Sequence, residues 1–107
     1  MPRRKRHHLD VHAQRRDGDC VVSCDGELDL FTAAELTREL RRHERSAPRL
    51  VLDLSHLRFM DSAGLALLIG QHRRAQQEGT GFAIANPTGE VRRALAISGL
   101  DRVLQSA

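Results

Sequence analysis

Five residues, Leu50-Val51-Leu52-Asp53-Leu54, constrain the fold more than any others in the chain. So short a near-continuous apolar run is typical of a central strand covered on both faces, as in an α/β sheet. The flanking sequence alternates strand-like and helix-like patterns. Leu9 to Ala13 alternates apolar and polar residues, Arg16-Asp17-Gly18-Asp19 is a turn cluster, and Cys20-Val21-Val22-Ser23-Cys24 reads as a returning strand, so a hairpin is expected. Phe31 to Leu36 opens a helical pattern. Thr32 and Glu35 have capping-box spacing, and Phe31 is placed to staple against Leu36. Ala33, Leu36 and Leu40 share one face, while Arg38, Arg41, Arg42 and Arg45 form a solvated basic face.

Pro48 closes that helical region, and the central strand follows. Ser55 to Met60 reads as a loop leading to a second helix, which Asp61 caps and Gly79 stops after about Glu78. Met60 and Leu65 have the spacing of a staple across its start. Residues 63–70 carry no polar side chain, so Leu65, Leu68 and Ile69 either leave an exposed partner surface or bury the helix deeply. Gly64, lacking a side chain, lets another surface approach the backbone. Phe82 to Ala85 reads as a strand, Asn86 and Pro87 as the cap and first position of a third helix, and Ser98-Gly99-Leu100 as its end. Val91, Ala94 and Leu95 point inward, and Val103 and Leu104 seal the core. The order β β α β α β α implies one α/β domain whose parallel strands are joined by right-handed crossovers.

The length of 107 residues fits one domain and buries about two thirds of the unfolded surface without a disulfide or metal staple. Cys20 and Cys24, four strand residues apart, have Cα atoms separated by about 13 Å, too far for a disulfide. They are expected to be unpaired thiols in a reducing compartment. The six histidines are scattered, without the spacing of a zinc site, and no cofactor is expected. No apolar run reaches the length of a membrane span, and Met1-Pro2-Arg3-Arg4 leads into further charge instead of a signal-peptide core, so the expected location is cytoplasmic.

The formal charge of +3 invites a nucleic-acid reading. Arg3, Arg4, Lys5 and Arg6 hold four of the 17 positive side chains, however, and the remaining 13 face 14 Asp and Glu. The organisation expected is therefore a solvated, disordered basic tail over residues 1–8 and a near-neutral domain over 9–107. Without Trp or Tyr the domain also lacks most stacking residues for single strands, and no direct nucleic-acid partner is expected.

The candidate functional segment is Asp61-Ser62-Ala63-Gly64, where Ser62 occupies the first turn of a helix near an exposed end of the sheet. An ordinary helix start and a functional serine both account for these residues. A catalytic Ser62 is disfavoured, because Met60 stands where a nucleophile elbow needs glycine, and His56 and Asp53 are near only in sequence.

Four ordered motifs carry a family resemblance: Gly26-Glu27-Leu28-Asp29-Leu30-Phe31-Thr32-Ala33, Leu50 to Leu54, Phe59-Met60-Asp61-Ser62-Ala63-Gly64-Leu65, and Val91 to Leu95 with Ser98-Gly99-Leu100. Together they resemble the STAS domain of bacterial anti-sigma factor antagonists over about Leu9 to Leu104. The resemblance implies a four- or five-stranded mixed sheet with three or more helices mostly on one side. It also implies partner switching in transcription and stress response. The unphosphorylated protein binds an anti-sigma factor with serine kinase activity and frees the sigma factor. Phosphorylation of the serine corresponding to Ser62 ends that binding, and a metal-dependent serine phosphatase restores it. Glu27, Asp29, Thr32, Asp61, Ser62, Ala63, Gly64, Leu65 and Leu68 are the positions the resemblance implies for partner binding. The alternative is a non-catalytic STAS scaffold subunit of a stress-signalling or lipid-transport assembly.

Overall fold

The structure is a computed structural model that describes residues 7–107. The basic run Arg3 to Arg6, and with it most of the expected tail, lies outside the described residues. Within that tail, His7 and His8 contact the domain: the backbone N–H of Glu27 donates to the His8 carbonyl at 2.8 Å.

Strands β1 (Leu9–Arg16) and β2 (Asp19–Leu28) form the expected antiparallel hairpin. Its two-residue loop has positive φ at both Asp17 and Gly18, the signature of the primed turns that match strand twist. Helix α1 (Ala33–His43), strand β3 (Arg49–Met60), helix α2 (Ser62–Glu78), strand β4 (Gly81–Ala85) and helix α3 (Gly89–Ser98) follow. A short 3-10 turn, Leu100–Arg102, leads to a two-residue strand β5 (Gln105–Ser106) that the sequence patterns do not reveal. The sheet order is β1-β2-β3-β4-β5, antiparallel at the first pair and parallel at the other three.

Each crossover steps to the neighbouring strand in one direction, and right-handed connections of that kind stack their helices on one face. Leu36 and Leu40 of α1, Leu68 and Ala75 of α2, and Val91 and Leu95 of α3 accordingly join Leu50, Leu52, Leu54, Phe82 and Ile84 in one core. The central strand is buried on both faces, as expected, with helices on one face alone. Val51 points to the opposite face and is buried there as well. Cys20 and Cys24 are buried and unpaired, and burial first, with Asp53 and Asp25 adding to it, pushes the Cys24 thiol up to about 12.

Three local expectations change. Ser55 to Met60 is strand, not loop, because β2 continues to Leu28 and pairs with it through irregularities that place Asp25 beside His56 and Leu28 beside Met60. The cap of α3 is Thr88 instead of Asn86, whose φ of 56° takes it out of the extended region a cap occupies, and whose side chain donates to Asp53. Leu104 is buried, but Val103 is 46% exposed and seals nothing.

Candidate functional site

Two parallel strands ending side by side create the site. β4 pairs with β3 only as far as Ala85 beside Asp53, whereas β2 and β3 run on together to Leu28 and Met60. The loops after β2 and β3 therefore meet at the carboxyl end of the sheet, where open α/β sheets place their binding sites. The backbone N–H of Asp61 donates to the Leu28 carbonyl at 3.2 Å and ties the loops together.

In the first loop, Asp29 organises the chain. Its Oδ1 accepts the backbone N–H groups of Phe31, at 2.8 Å, and of Thr32, at 3.1 Å. Thr32 does not form the expected capping box with Glu35. Its hydroxyl instead donates to the Glu27 carbonyl at 2.8 Å and accepts the Asp29 N–H at 3.0 Å, a latch between strand and helix that needs both partners. Phe31 does not staple onto Leu36 either, because the turn held by Asp29 leaves it 70% exposed beside Leu30 at 72%. The ring of His7 lies 4.2 Å from that of Phe31, and its Nδ1 donates to Asp29 Oδ2 at 2.6 Å.

Thr32→Val keeps the shape and removes the latch, leaving the buried Asp29 N–H and the Glu27 carbonyl without it. Its expected cost is about 1–3 kcal/mol in urea unfolding; Thr32→Ser is expected to retain most of the stability.

Burial pushes the Asp29 carboxyl up, but the His7 hydrogen bond and the two backbone amides outweigh that effect and hold it below the usual carboxylate range. The group therefore contributes stability that is present above the unfolded value of about 3.9 and is lost as pH falls through the lower folded value. Urea unfolding of wild type and Asp29→Asn across acid pH is expected to show a shallower acid loss in the variant. Parallel profiles would contradict the assignment.

In the second loop, Asp61 caps α2 as expected, with Oδ1 accepting from Ala63 N at 2.9 Å and Gly64 N at 3.3 Å. Ser62 follows on the first turn and is exposed. Gly64 opens space for the protein itself: a Cβ there would lie 2.6 Å from Met60 Cγ and 3.0 Å from Leu28 Cγ. Met60 thus packs over Gly64, and Leu65 is half-buried against the core.

Of the nine residues expected at a partner surface, Glu27, Asp61, Ser62, Ala63 and Leu65 are partly or fully exposed, whereas Asp29, Thr32 and Gly64 are buried and shape the loops from within. Leu68 is fully buried, because the inward face of α2 turns it into the core, and it presents nothing to a partner. The exposed apolar residues Leu30, Phe31 and Phe59 at this end escape sequence reasoning, since a helix staple and a loop account for them equally well. His56 bonds to Ser55, and Asp53 to Ser55 and Asn86, so neither is engaged with Ser62.

A family model for the STAS domain matches residues 10–106, nearly the whole chain. The chain belongs to the STAS domain family. The anti-sigma-F factor antagonist RsfB of Mycobacterium tuberculosis is 32% identical over 98 residues, covering 91% of this chain and 80% of the relative. An anti-sigma factor antagonist from Mycobacterium paratuberculosis has a similar solved structure, with a TM-score of 0.84, 31% identity and coverage of 92% of this STAS chain and 85% of that one. The Bacillus cell fate determinant SpoIIAA in its phosphorylated form shares the fold, with a TM-score of 0.67, 21% identity and coverage of 92% and 91%. Among the described residues, no helix of this STAS domain is long and apolar enough to cross a membrane.

Proposed function

We propose that this STAS domain is an anti-sigma factor antagonist whose partner contact is controlled by phosphorylation of Ser62. The unphosphorylated form binds an anti-sigma factor that is also a serine kinase, through the carboxyl end of β2 and β3 and the start of α2, and frees the sigma factor. A metal-dependent serine phosphatase resets it. The domain acts by binding and carries out no catalysis.

The observation that carries the reading is the placement of an exposed Ser62 at the same end of the sheet as exposed Leu30, Phe31 and Phe59. Apolar side chains supply the buried centre of an interface, and acidic Glu27 and Asp61 supply its polar rim. A kinase docked there has the hydroxyl within the contact it modifies. The relatives named as anti-sigma factor antagonists support the partner class.

Capture from native lysate tests the proposal, with Ser62→Ala and Ser62→Asp as paired baits. Ser62→Ala is expected to retain an anti-sigma kinase that Ser62→Asp loses, and wild type incubated with that kinase and ATP is expected to carry phosphate on Ser62. A complex held equally by both baits and built of transport or stress-assembly subunits would replace the switch with the scaffold.

A further inference from the structure

We propose that the groove between α1 and α2 binds a small molecule carrying phosphate groups. It holds about 330 Å³, and its walls include Thr37 and Arg41 from α1 and Gly70, Arg73, Arg74 and Gln77 from α2. On α2 these residues recur at intervals of three and four, which places them along one side of the helix. None belongs to the partner surface at the carboxyl end of the sheet, so the groove is independent of the Ser62 reading.

Three arginines, Arg41, Arg73 and Arg74, line this space, and only one meets a carboxylate. Among the described residues, the ion pairs formed by arginines of α1, α2 and the turn after α1 are Arg42 with Glu39, Arg45 with Glu78 and Arg74 with Glu44. Arg41 and Arg73 enter none. Glu44 is buried and also accepts a hydrogen bond from the buried Gln71 at 3.1 Å, so it is a fixed anchor. Arg74 reaches its two oxygens through Nε alone, at 2.9 Å each. That contact leaves both terminal Nη groups without a hydrogen bond to the described residues. Three positive groups against one carboxylate leave an excess of two charges in the groove.

Gly70 adds a separate observation. Glycine inside a helix costs about 1 kcal/mol relative to alanine, yet a Cβ at Gly70 would meet nothing within 4 Å. Packing does not require the glycine; its effect is to keep the groove open between Arg41 and Arg73. Two unpaired arginines and the free Nη groups of Arg74 beside an open helix surface suit the tetrahedral oxygens of phosphate, which arginine binds through parallel N–H bonds. The Thr37 hydroxyl and the Gln77 amide supply neutral hydrogen bonds beside the charge.

Inorganic pyrophosphate and inorganic phosphate are the probes, titrated separately into the isotope-labelled full chain at constant ionic strength and followed by amide chemical shifts. Saturable shifts are expected at residues 37–41 and 67–77, with the amides of 61–64 unmoved and the melting temperature rising with ligand concentration. Saturation by pyrophosphate alone would assign a diphosphate group, and saturation by both a single phosphate. Arg41→Gln and Arg73→Gln, both at exposed positions, are each expected to weaken binding about tenfold or more. Gly70→Leu, which fills the floor and favours the helix, is expected to abolish it. Shifts that never saturate, that sodium sulfate reproduces in full, or that survive Gly70→Leu would overturn the site.

Discussion

Gly26→Ala is expected to lower stability by about 3 kcal/mol or more, combining backbone strain with a steric overlap that cannot relax by side-chain rotation. Gly26 has a φ of 134°, and a Cβ there would collide with the carbonyl group of His8, which is main chain. The position is also where the pairing of β2 with β3 shifts, between Gly26 beside Leu57 and Glu27 beside Phe59. The carbonyl it would push away is the one that accepts the Glu27 N–H, so the damage spreads to the loop that holds Asp29. For a domain of this size the loss corresponds to a melting temperature lower by on the order of 15 °C. Gly79→Ala is the control: its φ of 72° is also in the left-handed region, but nothing lies within 4 Å of the added Cβ. It is expected to cost about 1 kcal/mol. Equal melting temperatures for the two variants would mean that His8 is not held against Gly26.

That comparison also marks where sequence reasoning succeeds and where it stops. The hairpin, the central strand, the cap of α2 at Asp61 and the stops at Gly79 and Gly99 are legible because short-range rules govern them. Turn chemistry at Asp17-Gly18 and left-handed φ at the two C-terminal glycines act within a few residues. The extension of β2 and β3 is not legible, because Ser55 to Met60 becomes strand only by pairing with residues about thirty positions earlier. Thr32 illustrates the same limit. Its spacing to Glu35 satisfies the capping-box pattern, but the Glu27 carbonyl and the Asp29 N–H, brought in by the end of β2, take the hydroxyl first.

At the site, Asp61 and Ser62 stand where the motif places them, and the family motif supplies more of their meaning than periodicity does. Leu68, expected at the partner surface but fully buried, shows why an apolar stretch leaves exposure and deep burial equally open. With residues 63–70 devoid of polar side chains, only the packing against β3 and β4 decides which leucine turns inward. Leu30 and Phe31 carry the opposite lesson, since their exposure follows from the turn that Asp29 imposes.

Phosphorylation of Ser62 is expected to weaken partner binding by about 30- to several-thousand-fold, equivalent to about 2–5 kcal/mol. The modification adds about −1.5 to −2 charge units. A helix N-terminus ordinarily welcomes an anion through its free N–H groups, but here Asp61 already occupies Ala63 N and Gly64 N. The new charge therefore sits beside the Asp61 carboxylate and projects into solvent, which the isolated domain tolerates because Ser62 is exposed. An interface that excludes water from this end of the sheet removes that solvation, and the repulsion from Asp61 becomes a cost of binding. The folding stability of the phosphorylated chain is expected to stay within about 0.5 kcal/mol of the unmodified one, so a lost interaction would not reflect a lost fold.

The most direct measurement is calorimetric titration of the retained anti-sigma factor with the full chain in two forms, unmodified and stoichiometrically phosphorylated on Ser62, with both melting temperatures recorded. The account predicts affinity at least about 30-fold weaker for the phosphorylated form, at nearly unchanged melting temperature; equal affinity for the two forms would contradict it.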